Sequence, residues 1–165
     1  MNNRILTAEQ ASELAKAHQS KGKKVVFTNG VFDILHLGHV TYLEEAQALG
    51  DVLIVGLNND YSVKQLAKGS ERPINPELAR AGVLAALRCV DGVVIFAEPT
   101  PEMLIKQIGP DVLVKGGDYN PDETDTAAPG YMVGSDFVKS KGGKVVAIPL
   151  VNGYSTTNIV KKLRS

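Results

Sequence analysis

The run Asp51-Val52-Leu53-Ile54-Val55-Gly56-Leu57 constrains this chain most, because it is apolar without alternation. A strand with one wet face alternates polar and apolar residues. A run that does not alternate suits a strand covered on both faces, as in a parallel sheet flanked by helices. Lys24 to Thr28, Asp91 to Phe96, Val112 to Lys115 and Lys144 to Ile148 are further strand-like runs. Segments of helical character lie around them. Thr7 to Gln19 carries Thr7 as a cap with Gln10 three residues on. His39 to Leu49 places Val40, Leu43, Ala46 and Leu49 at helical spacing and stops at Gly50. Asn58-Asn59-Asp60 opens a short helix through Ala67. Asn75 is read as the cap of a helix passing through Ala79, Val83, Leu84 and Leu87 to Arg88, with Pro76 at its first position. Another helix ends near Ile108-Gly109-Pro110, Tyr131 to Ser140 is read as helical, and Ser155 to Leu163 is the last helix. The expected fold is therefore α/β, an open parallel sheet of about five strands with helices on both faces. One domain over residues 1–165 is expected, with an N-terminal helix over 1–22 and the α/β core over 23–165.

Composition then limits the function. Lys plus Arg equals Asp plus Glu, 18 each, so no global basic field exists to hold nucleic acid. Any phosphate site must be local. Cys89 is the single cysteine, which rules out an internal disulfide and fits a reducing compartment. Met1-Asn2-Asn3-Arg4 leads into a polar helical pattern, so no signal peptide is read. No apolar run approaches the roughly 20 residues that cross a bilayer. The sequence reads as a cytoplasmic protein with no membrane partner.

Open α/β sheets bind ligands beyond the carboxyl ends of their strands, where the strand order reverses. Here those ends carry distinctive chemistry. The first long strand leads into Asn29, Gly30, Val31, Phe32 and Asp33, then His36-Leu37-Gly38-His39 at a helix start. The free N–H groups of a helix start favour an anion, and imidazoles beside it can donate to phosphate oxygens. His-x-x-His is also a metal spacing, but no cysteine lies nearby and the surrounding residues favour phosphate, so no protein-held metal is expected. The second strand leads to Asn58, Asn59, Asp60, Lys64 and Lys68; the fourth ends in Lys115, Gly116, Gly117 and Asp118. The fifth leads to Asn152-Gly153-Tyr154-Ser155-Thr156-Thr157, three hydroxyls on a helix start. Ser155 taken alone reads more readily as a plain cap, and Lys64, Lys68 and Arg72 would serve equally as a solvated loop. No G-x-G-x-x-G follows the first strand and no P-loop occurs, which removes hydride transfer and P-loop chemistry.

These residues resemble the nucleotidyltransferase superfamily marked by a His-x-Gly-His motif. Gly30-Val31-Phe32-Asp33 with His36-Leu37-Gly38-His39 matches its first signature, and Gly153-Tyr154-Ser155-Thr156-Thr157 its last, in the form of the cytidylyltransferase-like members. The likeness covers Lys24 to Leu163 and implies a Rossmann-like sheet. Ser62-Val63-Lys64, Arg72-Pro73-Ile74-Asn75, Val114 to Tyr119, Val133-Gly134 and Phe137 to Gly143 further resemble the adenylyltransferases that make ADP-heptose. That narrower resemblance implies ATP and D-glycero-β-D-manno-heptose 1-phosphate as substrates, for lipopolysaccharide core or another heptose-containing glycan. It also implies a free-standing form with a separate heptose kinase as pathway partner, and leaves room for a homodimer. It assigns His36, His39 and Lys64 to catalysis. Gly30, Val31, Phe32, Lys68, Asn152, Gly153, Ser155, Thr156 and Thr157 would hold the nucleotide, and Asp33, Lys115, Gly116 and Asp118 the sugar phosphate. Mg²⁺ would ride on the phosphates. Two other readings compete: a cytidylyltransferase acting on glycerol 3-phosphate or another phosphorylated acceptor, and a nucleotide-binding module without catalysis.

Gly116 to Gly130 is the irregular stretch, rich in Asp, Gly and Pro. A loop this long inside a compact domain is usually functional. The expectation is a lid over the sugar phosphate, with Asp122, Glu123 and Asp125 facing sugar hydroxyls.

Overall fold

The computed structural model describes residues 3–66 and 72–164. Among these, six strands form one parallel sheet in the order β1-β4-β3-β2-β5-β6: β1 (Ile5–Leu6), β2 (Val25–Gly30), β3 (Val52–Asn58), β4 (Gly92–Phe96), β5 (Val112–Gly116) and β6 (Lys144–Ile148). Seven helices are described: α1 (Ala8–Gln19), α2 (Leu37–Gln47), α3 (Asp60–Gln65), α4 (Glu77–Ala86), α5 (Glu102–Ile108), α6 (Ser135–Ser140) and α7 (Thr156–Arg164). The chain leaves β2 toward β3 and β4, then crosses back to lay β5 on the other side of β2. The order therefore reverses between the carboxyl ends of β2 and β5, the place where open α/β sheets bind their ligands.

The unbroken apolar runs have the predicted cause. Along β3, Leu53, Val55 and Leu57 pack on one face with Tyr42, Leu43 and Ala46 of α2 and Ala81, Leu84 and Ala85 of α4. Val52 and Ile54 pack on the other with Ala11 and Ala15 of α1, Leu104, Ile105 and Ile108 of α5, and Val138 of α6. Both faces are dry along Val52–Leu57, which is why neither set of alternate positions is polar there. Thr7 caps α1 through the expected capping box with Gln10.

Several local expectations are corrected. The sheet has six strands rather than five: Ile5–Leu6 pairs with Val93–Val94, so residues 1–22 contain an edge strand as well as a helix. Two residues are too few to show a period. Pro76, not Asn75, occupies the cap of α4, and the Asn75 side chain instead donates to the Asp33 carbonyl at 2.7 Å. The buried face of α4 is Arg80, Ala81, Leu84 and Ala85, whereas Val83 is exposed. The helix expected from Tyr131 begins only at Ser135, because Gly134 takes a left-handed backbone (φ 87°). There a Cβ would lie 2.7 Å from Ile105 Cδ1. Ala67 and Lys68 lie outside the described residues.

Candidate active site

At the carboxyl end of β2 the chain turns through Gly30 to Phe32. Phe32 has φ 45°, the left-handed region, which a bulky residue occupies only when its surroundings force it. Gly30 makes this possible, since a Cβ there would lie 2.9 Å from the Phe32 ring. The ring in turn meets His39, with centroids 5.4 Å apart.

His36 stands at the cap position of α2 but makes no side-chain cap hydrogen bond. Its ring stacks on His39 at a centroid distance of 3.9 Å and an interplanar angle of 18°. Burial lowers the His36 pKa below the ordinary imidazole value. His36 Nδ1 is sealed from solvent and has no hydrogen-bond partner. Two imidazoles this close resist carrying two charges, which also favours a neutral His36. Gly38 lets them close over the helix start: a Cβ there would lie 3.0 Å from Tyr154 Cβ and 3.2 Å from His36 Nδ1.

α7 reaches the same place from the far end of the chain. Tyr154 lies 6.3 Å from the His36 ring, and Thr156 Oγ1 donates to the Ile34 carbonyl at 3.4 Å. Ser155 is the cap of α7, its Oγ accepting from the Asn158 N–H at 3.0 Å. Asn152, Gly153 and Thr157 are exposed around this helix start. Gly116 at the end of β5 faces the same side, where a Cβ would meet Leu150 at 2.9 Å and Tyr42 at 3.1 Å. The Tyr42 hydroxyl is hydrogen-bonded to Thr28 at 2.6 Å, and burial raises its pKa far above the ordinary phenol value. Lys115 spans the switch point, its Nζ donating to the Asn29 carbonyl at 3.3 Å. Lys64 is exposed on the last turn of α3, after the strand beside β2, and Asp118 is exposed at the loop mouth.

Asp33 is used differently from the sequence expectation of a sugar-phosphate contact. Its carboxylate accepts from Arg72 at 2.6 Å and from the Ile74 and Asn75 N–H groups at 2.9 Å. Burial pushes its pKa up, but those donors outweigh burial and hold it below the ordinary value. Asp33 thus ties the segment Arg72–Asn75 to the site loop.

Arg80 was not singled out by the sequence reading. Its side chain is fully buried and donates to the Val31 carbonyl at 2.6 Å, the Asn75 carbonyl at 2.9 Å and Asp60 at 2.7 Å. One guanidinium therefore fixes the loop after β2, the segment before α4 and the start of α3. The available signal was an arginine inside the small-residue run Ala79-Arg80-Ala81, where a charge on a buried face needs a structural partner.

The loop from Tyr119 to Gly130 is folded on itself. Asn120 N–H donates to the Gly130 carbonyl at 2.9 Å. Glu123 Oε1 accepts from the Thr124 and Asp125 N–H groups, and Asp125 Oδ1 from Ala127 N–H, each at 2.9 Å. Glu123 Oε1 and Asp125 Oδ1 are thus used on the loop's own backbone.

Stacked imidazoles at the start of α2, the start of α7 beside them and Lys115 across the switch point converge at the carboxyl end of the sheet. A model of the cytidylyltransferase-like family matches residues 27–162, and the chain belongs to that family: it is a nucleotidyltransferase. It is 50% identical over 162 residues to the bifunctional protein HldE of Geotalea uraniireducens, covering 98% of this chain and 31% of that protein. The HldE of Ectopseudomonas mendocina is 56% identical over 164 residues, 98% of this chain and 32% of that protein. The chain thus spans about a third of the length of these relatives. Among solved structures, the lipopolysaccharide core biosynthesis protein of Thermoplasma volcanium matches with a TM-score of 0.60 and 28% identity, covering 81% of this chain and all of that one. Pantoate-β-alanine ligase from Francisella tularensis matches over 97% of this chain and 76% of that one, with a TM-score of 0.57 and 17% identity, and shares the fold. No described helix is long and apolar enough to cross a membrane.

Proposed function

We propose that this chain transfers AMP from ATP to D-glycero-β-D-manno-heptose 1-phosphate, giving ADP-heptose and pyrophosphate. The observation that carries the phosphate chemistry is the His36–His39 stack, 3.9 Å between ring centres, over the glycine-opened start of α2. The choice of sugar is supported by the likeness to the HldE proteins, 50–56% identical across nearly the whole chain.

A sugar 1-phosphate is already a nucleophile, mostly dianionic at neutral pH because its second ionisation lies near pH 6. No general base or covalent enzyme intermediate is needed. The phosphate oxygen forms a bond to the α-phosphorus of ATP, the bond from that phosphorus to the β-bridging oxygen breaks, and pyrophosphate leaves with the electron pair. The protein positions two anions that repel each other and neutralises charge as it shifts to the leaving group. His36 and His39 donate to α-phosphate oxygens. Ser155, Thr156 and Thr157 with the α7 start take the β and γ groups. Asn152 and Gly153 border the base, and Lys64 and Lys68 neutralise the triphosphate. Lys115, Gly116 and Asp118 face the acceptor, while Asp33 shapes the loop. Mg²⁺ would ride on the phosphates and supply charge neutralisation.

The test is pyrophosphate release with ATP and CTP against heptose 1-phosphate, hexose 1-phosphates and glycerol 3-phosphate. ATP with heptose 1-phosphate is expected to turn over fastest. Turnover of CTP with glycerol 3-phosphate, and none with ATP and heptose 1-phosphate, overturns the proposal.

A further inference from the structure

The central strand ends in a side chain whose chemistry is unused. Asn29 is half-buried at the carboxyl end of β2, and its Oδ1 is sealed from solvent with no hydrogen-bond donor. A buried amide oxygen left unpaired costs stability, and native structures contain few of them. Such a group needs an explanation in function.

Its position supplies one. Strand alternation places Asn29 on the face of Val25 and Phe27, which pack with α1, α5 and α6. The histidine helix α2 packs on the opposite face. Gly56, opposite Asn29 on β3, leaves space: a Cβ there would lie 3.2 Å from Asn29 Cβ. Two residues beyond Gly56, Asn58 shares this face and donates from Nδ2 to Ser62 Oγ at 3.3 Å. Lys115, two residues beyond Leu113, shares it too; its Nζ reaches the Asn29 carbonyl at 3.3 Å and lies 5.8 Å from the centre of the Tyr119 ring.

The histidine-side features, with Gly38 against Tyr154 and His36, lie on the α2 face. The other face at this edge offers two amides and a cation, with the Tyr119 ring 5.8 Å from that cation. That set matches a polyhydroxylated phosphate ester. The cation suits the phosphate, the ring suits sugar C–H groups, and an amide suits hydroxyls. The terminal torsion of an asparagine is broad, so a small turn presents Oδ1 to a ligand.

We propose that Asn29 is a specificity-determining residue for the acceptor: its amide oxygen accepts a hydrogen bond from a sugar hydroxyl while Lys115 holds the sugar's phosphate. This rests on the sugar-phosphate reading above and adds which side chain reads the sugar.

The experiment is steady-state kinetics of Asn29→Ala and Asn29→Ser with ATP and heptose 1-phosphate, followed by deoxy analogues of the sugar. Loss of one buried hydrogen bond should raise the KM for the sugar about tenfold. The KM for ATP should stay within about twofold, because the nucleotide lies on the other face. One deoxy analogue should reproduce the loss with wild-type enzyme and cost Asn29→Ala nothing further, the signature of a shared contact. Asn29→Ser carries the same comparison if Asn29→Ala folds poorly. An unchanged sugar KM, an equal rise for ATP and sugar, or full additivity for every deoxy analogue overturns the role of Asn29. If wild-type enzyme releases no pyrophosphate with heptose 1-phosphate, the functional reading fails separately. The variants are then titrated with the hexose 1-phosphates and glycerol 3-phosphate. Weakened binding of one of these upholds Asn29 as an acceptor reader, and unchanged binding of all of them refutes it.

Discussion

Replacing Arg80 by methionine keeps most of the side-chain volume and removes the guanidinium. Three acceptors then lose their donor: the Val31 and Asn75 carbonyls and the Asp60 carboxylate. Each carbonyl left unpaired in the interior costs about 1–3 kcal/mol. Asp60 is 33% exposed and rehydrates, so the ion pair contributes the smaller share. Breaking a buried pair by removing one partner typically costs about 3–5 kcal/mol, and the exposure of Asp60 puts the expected loss at about 3–4 kcal/mol. That is a large part of the roughly 5–15 kcal/mol that stabilises a domain. With a urea slope of about 2 kcal/mol/M, the midpoint should fall by about 1.5–2 M. Equilibrium urea unfolding followed by circular dichroism measures it. A midpoint within about 0.5 M of wild type would show that the guanidinium does not hold these three segments, and the reasoning would be refuted.

His39→Ala should fold normally and lose about a hundredfold or more in turnover, as expected for removal of a donor to developing charge; near-normal turnover in a folded variant would remove the histidine stack from the chemistry. Gly38→Ala should gain or keep helix stability, since alanine is the better helix former, yet lose at least about tenfold in kcat/KM because its methyl pushes Tyr154 and His36 apart; equal activity in the pyrophosphate assay contradicts this. Asp33 has a folded pKa below its ordinary value, so its stabilising effect is complete above the unfolded pKa of about 3.8 and is lost as pH falls through the folded value. The stability gap between wild type and Asp33→Asn should therefore be constant from pH 7 to 5 and shrink below about pH 4 in urea titrations; a gap that grows on acidification reverses the sign and the argument. Amide exchange over 119–130 should slow on adding ATP with a sugar phosphate if the self-bonded loop also closes over ligand; protection unchanged by both would leave it a fixed wall.

Much of the fold was legible in the chain. Non-alternating apolar runs can be satisfied only by a sheet covered on both faces, and that requirement is written in Val52 to Leu57 itself. Caps, glycine stops and the sequence of strands and helices are likewise local. The two motifs are local as well, each a contiguous stretch at a helix start, and the fold brings both starts together. Strand order is different. The return of β5 to the far side of β2 is a choice among packings that the local sequence does not distinguish, and it alone brings Lys115 beside Asn29. The same holds for Arg80, Asp33 and Asn29. Hydrogen bonds between residues 39 to 49 positions apart, such as Arg72 to Asp33 and Arg80 to Val31, leave no period or spacing in the sequence. Whether a charged side chain meets ligand or ties backbone depends on which segments the tertiary fold brings within 3 Å, and only the assembled sheet decides that.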